Sequence, residues 1–318
     1  MSTSAPGAHS GSDLAFRTEM NFDYGVVTDV APDVRRIVAN NPGPFTFKGT
    51  NTYLVGRGDV AVIDPGPDDP VHLKAITDAL NGERISHILI THTHRDHTDG
   101  VPALKEHSDA PVLAFGETGK PRGARTTSPS GKAFVDLGFT PDEEVKDGDT
   151  IRGANWALDA IHTPGHAPDH LCFAVVGQRT VLSGDHVMGW NTTVVAPPEG
   201  SMADYMSSLQ RMLERNDKVF LPGHGGRIET PRRVVRAYLM HRKMRESAIY
   251  GCIESGDQFI PQIVPKIYGN LDEKLAPAAA LSVLAHLEYL VERGLVQCDA
   301  LPAAIHSAFS IPHASPPL

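Results

Sequence analysis

The chain is poor in cysteine. It has three in 318 residues, Cys172, Cys252 and Cys298, far apart and without CxxC spacing. That scarcity excludes a disulfide framework and a thiolate zinc site, and it fits a reducing compartment. The opening MSTSAPGAHSGSDLAFRTEM lacks a basic n-region followed by an apolar h-region, and no uninterrupted apolar run approaches the ~18 residues needed to span a bilayer. The expectation is a cytoplasmic protein with no membrane partner and a disordered leader over 1–20. Net positive charge is missing too: 29 Lys+Arg stand against 38 Asp+Glu, a formal net charge of -9. Global attraction to nucleic acid is therefore absent, and any phosphate binding must be local. There is no GxSxG elbow and no Cys/His pairing that would supply a protein nucleophile.

What remains is an ordinary globular balance, 41% hydrophobic and 21% charged, in a chain long enough for about two domains. The start is β-rich: Val34 to Gly56 reads as two strand runs around a Pro/Gly turn, and Asp59 to Gly66 as a strand ending in a tight turn. Helix and strand then alternate. Pro70 to Leu80 has helical periodicity, Ile85 to Thr91 is a covered strand, VPALKEH a helix and APVLAF a strand, followed by a loop over Gly116 to Lys132 that is expected to be mobile. WALDAIHT, LCFAVV, RTVLSG and KVFLPG are further strands, and Ala203 to Arg215 is an amphipathic helix. A long helix starts after Pro231, and past about Gly256 only helices and one short strand remain. The division read from this is a leader over 1–20, a first domain over 21–250, a second over 251–305 and a tail over 306–318.

Histidine is the outlier at 16 residues, and THTHRDHTDG puts His92, His94, Asp96 and His97 directly after a strand. In extended chain, residues i and i+2 point to one side, so His92 and His94 reach one metal ion. Where the chain turns into a helix, Asp96 and His97 serve a second ion nearby. Two ions need more ligands, from other strand ends: His166 in HTPGHAPDH, Asp185 in LSGDH and His224 in FLPGHGG, each beside glycine. Imidazole and carboxylate without thiolate suit Zn²⁺, Mn²⁺ or Fe²⁺, with zinc the leading choice.

These segments, together with NPGPFTFKGTNTYLVG, VIDPG and LSGDHVMGWNTTVV, resemble the metallo-β-lactamase-fold hydrolases over Pro42 to about Gly226. More narrowly they resemble the lactamase-beta-like protein two family, whose mitochondrial animal member is an endoribonuclease and which carries a small winged-helix appendage. The resemblance implies an α+β fold, a four-layer αββα sandwich with the metals at one edge between the sheets, and a winged-helix-like unit near 256–300. It also implies that His92, His94 and His166 hold one zinc, Asp96, His97 and His224 the other, that Asp185 bridges both, and that Asp64 steadies the metal turn. Asp96 and Asp185 are then the catalytic carboxylates, and a metal-bridging hydroxide is the nucleophile. The implied reaction is endoribonuclease-like phosphodiester cleavage. Hydrolysis of a small thioester, ester, lactone or β-lactam is the alternative, and a non-catalytic nucleic-acid-binding protein is the rival of another class.

Substrate contacts are read from weaker signals. Tyr205 is a candidate to offer its phenol to an oxyanion, against the reading of a core-facing tyrosine on an amphipathic helix. RRVVRAYLMHRKMRE concentrates Arg232, Arg233, Arg236, Arg242, Lys243 and Arg245, the one strongly basic stretch. If that helix borders the metal cleft, Arg242 and Arg245 bind the phosphates of a single-stranded RNA; the competing reading is a solvated face. His170 and His186, next to ligands, are candidates to hydrogen-bond a metal-bound carboxylate. The substrate and any homo-oligomeric partner stay open at this level.

Overall fold

The computed structural model describes residues 16–116, 134–269 and 271–312. Beyond Gly116, the loop expected to be mobile lies outside these residues, as do 1–15 of the leader and 313–318 of the tail.

One sheet has seven strands in sequence order: β1 (Thr28–Ala31), β2 (Val34–Val38), β3 (Asn51–Val55), β4 (Asp59–Ile63), β5 (Arg84–Leu89), β6 (Val112–Phe115) and β7 (Glu143–Val145). It is antiparallel from β1 to β4 and parallel from β4 to β7. The second sheet has five: β8 (Thr150–Arg152), β9 (Ala157–His162), β10 (Leu171–Val175), β11 (Thr180–Gly184) and β12 (Val219–Pro222), with β11 and β12 parallel.

Strands β2, β3 and β4 are buried at every position because both of their faces are covered. Alternation along them decides which layer each side chain joins. Tyr53, Val55, Ala61 and Ile63 face inward and meet Leu158, Phe173, Leu182 and Leu221 of the second sheet. Leu54, Val60 and Val62 face outward and meet Ile76 and Leu80 of α1 (Pro70–Leu80). Helix α1 starts where Asp69 caps the amide of Val71 and stops where Asn81 turns left-handed. The helices after β5 are the one-turn α2 (Arg95–Thr98) and α3 (Val101–His107).

The outer face of the second sheet, with Cys172, Ala174, Val181 and Phe220, is covered by α4 (Met202–Glu214) through Tyr205, Leu209 and Met212. Val235 and Tyr238 of α5 (Pro231–Glu254) complete that layer. The layers therefore run helix, sheet, sheet, helix.

The C-terminal unit has its own core. Ile249 and Ile253 of α5 pack with α6 (Ile260–Tyr268), α7 (Ala276–Glu292) and Phe309; β13 (Gln297–Cys298) and β14 (Phe309–Ser310) pair beside them. The boundary expected at 250 falls inside α5, whose first half packs on the second sheet and whose last turns belong to the C-terminal core. Among the described residues, Glu273–Glu292 is long and apolar enough by composition to cross a membrane. In the structure Val283, Leu284, Leu287 and Leu290 of this segment are core residues. The short strands β1, β7 and β8 were not legible in the sequence, because EEV and TIR carry too little apolar pattern.

Candidate metal centre

The seven residues read as ligands meet at one edge between the two sheets. They form three overlapping groups, His92 with His94 and His166, His92 with His97 and Asp185, and Asp96 with His97 and His224. Within each group the ligand atoms lie within 4.8 Å of one another. Five follow the C-terminal end of a strand, β5 leading to His92 and His94, β9 to His166, β11 to Asp185 and β12 to His224, while α2 carries Asp96 and His97. The i, i+2 spacing behaves as the extended backbone requires, with His92 Nε2 3.0 Å from His94 Nδ1. His166 Nε2 lies 3.0 Å from that same atom.

Four of these imidazoles are held from behind. His92 Nδ1 lies 3.0 Å from Thr91 Oγ1, whose proton goes to Asp64 Oδ2 at 2.7 Å. His166 Nδ1 donates to the Val194 carbonyl at 2.6 Å, and His224 Nδ1 to that of Gly49 at 3.2 Å. His97 Nδ1 donates to Asp64 Oδ2 at 2.9 Å, and Asp64 Oδ1 also accepts the Thr91 amide at 2.8 Å. These bonds commit the Nδ1–H of each ring, so that Nε2 is the atom directed into the cluster and available to a metal once it carries no proton.

Two glycines make the room. A Cβ on Gly223 would sit 2.3 Å from Asp185 Oδ1 and 2.9 Å from His97 Cε1. Gly184 has φ +47, and a Cβ there would lie 2.6 Å from His170 Nε2.

Among the described residues, His97 Nε2 and Asp185 Oδ1 are buried without a hydrogen-bond partner. His92, His94 and His166 bring three ring nitrogens together where at most one pair can share a proton. Unsatisfied buried groups of this kind are costly. A cation accepting these lone pairs removes the cost, so the residues fit a metal.

The charges divide the cluster into two halves. Burial, reinforced by His97 and His94, pushes His92 well below the usual imidazole range, and burial with His166 lowers His94 to about 3. Both are neutral ligands at neutral pH. On the other side burial is outweighed by carboxylates: Asp96, Asp64 and Asp185 hold His97 well above its ordinary value, and Asp185 with Asp96 raises His224 to about 10. Asp185, although buried, is held well below the carboxylate range by His224 and His97. Asp185 thus remains an anion, its Oδ2 3.2 Å from His224 Nε2 and 3.7 Å from His166 Nε2, and its Oδ1 3.7 Å from His97 Nε2.

The substrate-binding expectations need correction. Tyr205 is fully buried and its hydroxyl donates to the His186 carbonyl at 2.9 Å, so it offers nothing to an oxyanion. Arg242 is 3% exposed, donates to the Thr193 carbonyl and lies against the Tyr205 ring. Arg245 donates to the Ile267 carbonyl at 2.8 Å and stacks 4.3 Å from Tyr268. Tyr205 and Arg242 face inward because α4 and α5 turn these positions toward the protein, while Arg245 is half-buried with its guanidinium committed to α6. Of the two histidines beside ligands, His170 Nε2 accepts the Asp185 amide at 3.0 Å, whereas the ring nitrogens of His186 make no side-chain hydrogen bond to a metal-site carboxylate among the described residues and its ring packs 5.1 Å from Tyr205. Sequence reading missed Thr50, which donates to Asp96 Oδ2 at 3.1 Å, and Glu199, 4.0 Å from His94 Nε2. Neither carries a local signal; long-range folding alone brings them there.

Comparison with known proteins identifies the family. Residues 45–224 match the Metallo-beta-lactamase superfamily, and residues 260–301 the Beta-lactamase associated winged helix domain. The chain is 33% identical over 287 residues to Beta-lactamase-like protein 2 homolog of Drosophila melanogaster, covering 84% of this chain and 91% of that one. It is 30% identical over 264 residues to Atrochrysone carboxyl ACP thioesterase of Aspergillus chevalieri, covering 80% and 79%. A crystal structure of a Beta-lactamase domain protein from Burkholderia ambifaria superposes with TM-score 0.76 at 22% identity, covering 95% of this chain and 97% of that one. With its His/Asp cluster at the sheet edge and a C-terminal winged helix behind it, the chain belongs to the metallo-beta-lactamase superfamily.

Proposed function

We propose that the chain is a dinuclear, zinc-dependent hydrolase of thioesters or related small acyl substrates. The observation that carries this reading is the convergence of six nitrogen and oxygen ligands on Asp185, the seventh, with His97 Nε2 and Asp185 Oδ1 left without a hydrogen bond among the described residues. In this reading His92, His94 and His166 hold one ion, Asp96, His97 and His224 the other, and Asp185 stands between them. When bound, two such cations acidify a water toward neutrality and neutralise charge developing on a carbonyl or phosphoryl oxygen.

The chain's own residues supply orientation. Asp64 holds His97 and the Thr91 turn, and the Gly49 and Val194 carbonyls hold His224 and His166. The cluster keeps Asp96 and Asp185 ionised, so both carboxylates are ready to ligate without first losing a proton.

Two observations support the acyl substrate. One relative is named as a carrier-protein thioesterase. Burial of Arg242 also removes a cation from any polyanion-binding surface. A second reading, cleavage of single-stranded RNA, is favoured by Arg232, Arg233, Arg236 and Lys243, which are exposed on α5 and make no ion pair among the described residues.

The test is a panel of S-lactoylglutathione, an acylhomoserine lactone, nitrocefin and single-stranded RNA, each with and without chelator, alongside elemental analysis. Thioester turnover that chelation abolishes and zinc restores, at close to two ions per chain, is expected. Trace metal after reconstitution, or turnover indifferent to chelator or to Asp185→Ala, would overturn the reading.

A further inference from the structure

Helix α5 reaches the metal centre through the loop that follows Asp185. Tyr238 and Arg242, one turn apart on its buried face, grip this loop at three backbone positions. The Tyr238 hydroxyl accepts the Gly189 amide at 3.1 Å and donates to the Asn191 carbonyl, and the Arg242 guanidinium donates to the Thr193 carbonyl. One gripped residue, Thr193, and its neighbour Val194 contact two of the ligand residues. Thr193 Oγ1 lies 2.7 Å from the Asp185 carbonyl and 3.0 Å from that of His186, its single proton shared between them. The next carbonyl, Val194, accepts Nδ1–H of His166 at 2.6 Å.

We propose that Arg242 is a positioning residue for the metal centre, acting through the Thr193–Val194 peptide on Asp185 and His166. The proposal rests on the reading that the cluster holds metal. A backbone carbonyl in a loop is free to rotate with its peptide unless a donor fixes it. Here the donor is a buried cation, and charge-assisted bonds of this kind are stronger than neutral ones. The planar guanidinium sits 5.2 Å from the Tyr205 ring while donating to Thr193, a combination that a flexible ammonium does not reproduce. Without it the Thr193 carbonyl is left unpaired in the core, and the peptide turns to find another donor. Turning it changes ψ of Thr193 and φ of Val194, the torsions that aim the Thr193 side chain at the Asp185 carbonyl and the following Val194 carbonyl at His166. Because α5 continues into the C-terminal core, this bond also ties the winged-helix unit to the site.

The experiment measures zinc affinity of folded, metal-free protein against a competing chromophoric chelator. The variants are Arg242→Met, Arg242→Lys, Thr193→Val and Thr193→Ser. Arg35→Met serves as a matched control, because Arg35 is 5% exposed and donates to Glu83 and to the Gly56 carbonyl on the other sheet. Arg242→Met is expected to bind zinc about 10- to 100-fold more weakly, the range typical of residues that orient metal ligands. Thr193→Val should weaken binding, Thr193→Ser should restore it, and the double variant Arg242→Met/Thr193→Val should fall short of the product of the single effects. Arg35→Met should lower Tm and leave zinc affinity unchanged. If Arg242→Met does not fold, Arg242→Lys and the Thr193 pair measure the same link. Wild-type affinity in the Arg242 variants, an equal loss in Arg35→Met, or single effects that multiply would overturn the inference. A wild type that takes up no zinc overturns the metal reading itself, which separates the two failures.

Discussion

Asp64 Oδ2 accepts Nδ1–H of His97 at 2.9 Å across 33 residues of sequence, while the other oxygen of the same carboxylate holds the Thr91 amide at 2.8 Å. One side chain therefore fixes both ends of the ligand turn. Asp64 itself sits at φ +52, a conformation that Asp and Asn tolerate better than other residues with a side chain. Asp64→Asn keeps that backbone and removes one acceptor, so that its NH2 must face either the Thr91 amide or both Thr91 Oγ1–H and His97 Nδ1–H. Zinc affinity should drop by about 10- to 100-fold with the circular dichroism spectrum intact. A competition titration showing wild-type affinity would exclude the role.

Gly223 tests how closely the carboxylate is packed. The added methyl in Gly223→Ala would lie 2.3 Å from Asp185 Oδ1, so the carboxylate must move. A displacement near 1 Å at a reacting centre costs on the order of 100-fold in rate. Turnover of the substrate identified by the panel should fall by about that factor while Tm changes little. Unchanged kcat would show that Asp185 is free to relocate.

Acid stability should depend on His72, whose Nε2 lies 2.8 Å from Thr52 Oγ1. Burial lowers its pKa from 6.5 to about 4, the nearby Asp69 opposing only in part. The folded value lies below the unfolded one, so the unfolded chain takes up a proton first as pH falls. The stability involved is fully present above pH 6.5 and is lost between 6.5 and about 4, amounting to roughly 3 kcal/mol at one proton. Urea titrations of the metal-free protein should show this slope, and His72→Gln should flatten it over the same interval. His241, also lowered to about 4, and the buried His92, His94, His170, His186 and His286, which burial lowers as well, supply shares of the same sign that His72→Gln leaves in place.

The basic helix makes a discriminating prediction about substrate. If single-stranded RNA binds, replacing Arg232, Arg233, Arg236 and Lys243 with Ala should flatten the slope of log K against log salt by about 0.7 for each phosphate no longer neutralised. Replacing Arg245 should lower Tm and leave the slope alone, because its guanidinium is committed to Ile267 and Tyr268. If wild type neither binds nor cleaves a single-stranded oligonucleotide at low salt, the acyl-substrate reading stands without its rival.

By itself the sequence determined the ligand types and the succession of strands and helices, while the layers came from the family resemblance. THTHRDHTDG encodes a strand end running into a helix, and i, i+2 spacing in extended chain places His92 beside His94 whatever the rest of the chain does. A strand run such as Asp59–Ile63 declares itself by near-continuous apolar content, and Thr180–Gly184 by a short apolar pair ending at glycine; the residue after each run marks the edge where ligands gather. Tertiary structure alone decided which side of a helix faces inward. The basic residues of α5 look alike in sequence, yet Arg242 is buried against Tyr205 while Arg236 and Lys243 stay in solvent, since rotation about a helix axis is set by what packs on it. The same holds for the carbonyls of Gly49 and Val194. A backbone oxygen has no residue signature, and it becomes a support for a metal ligand only when chain 175 or 28 residues away folds against it.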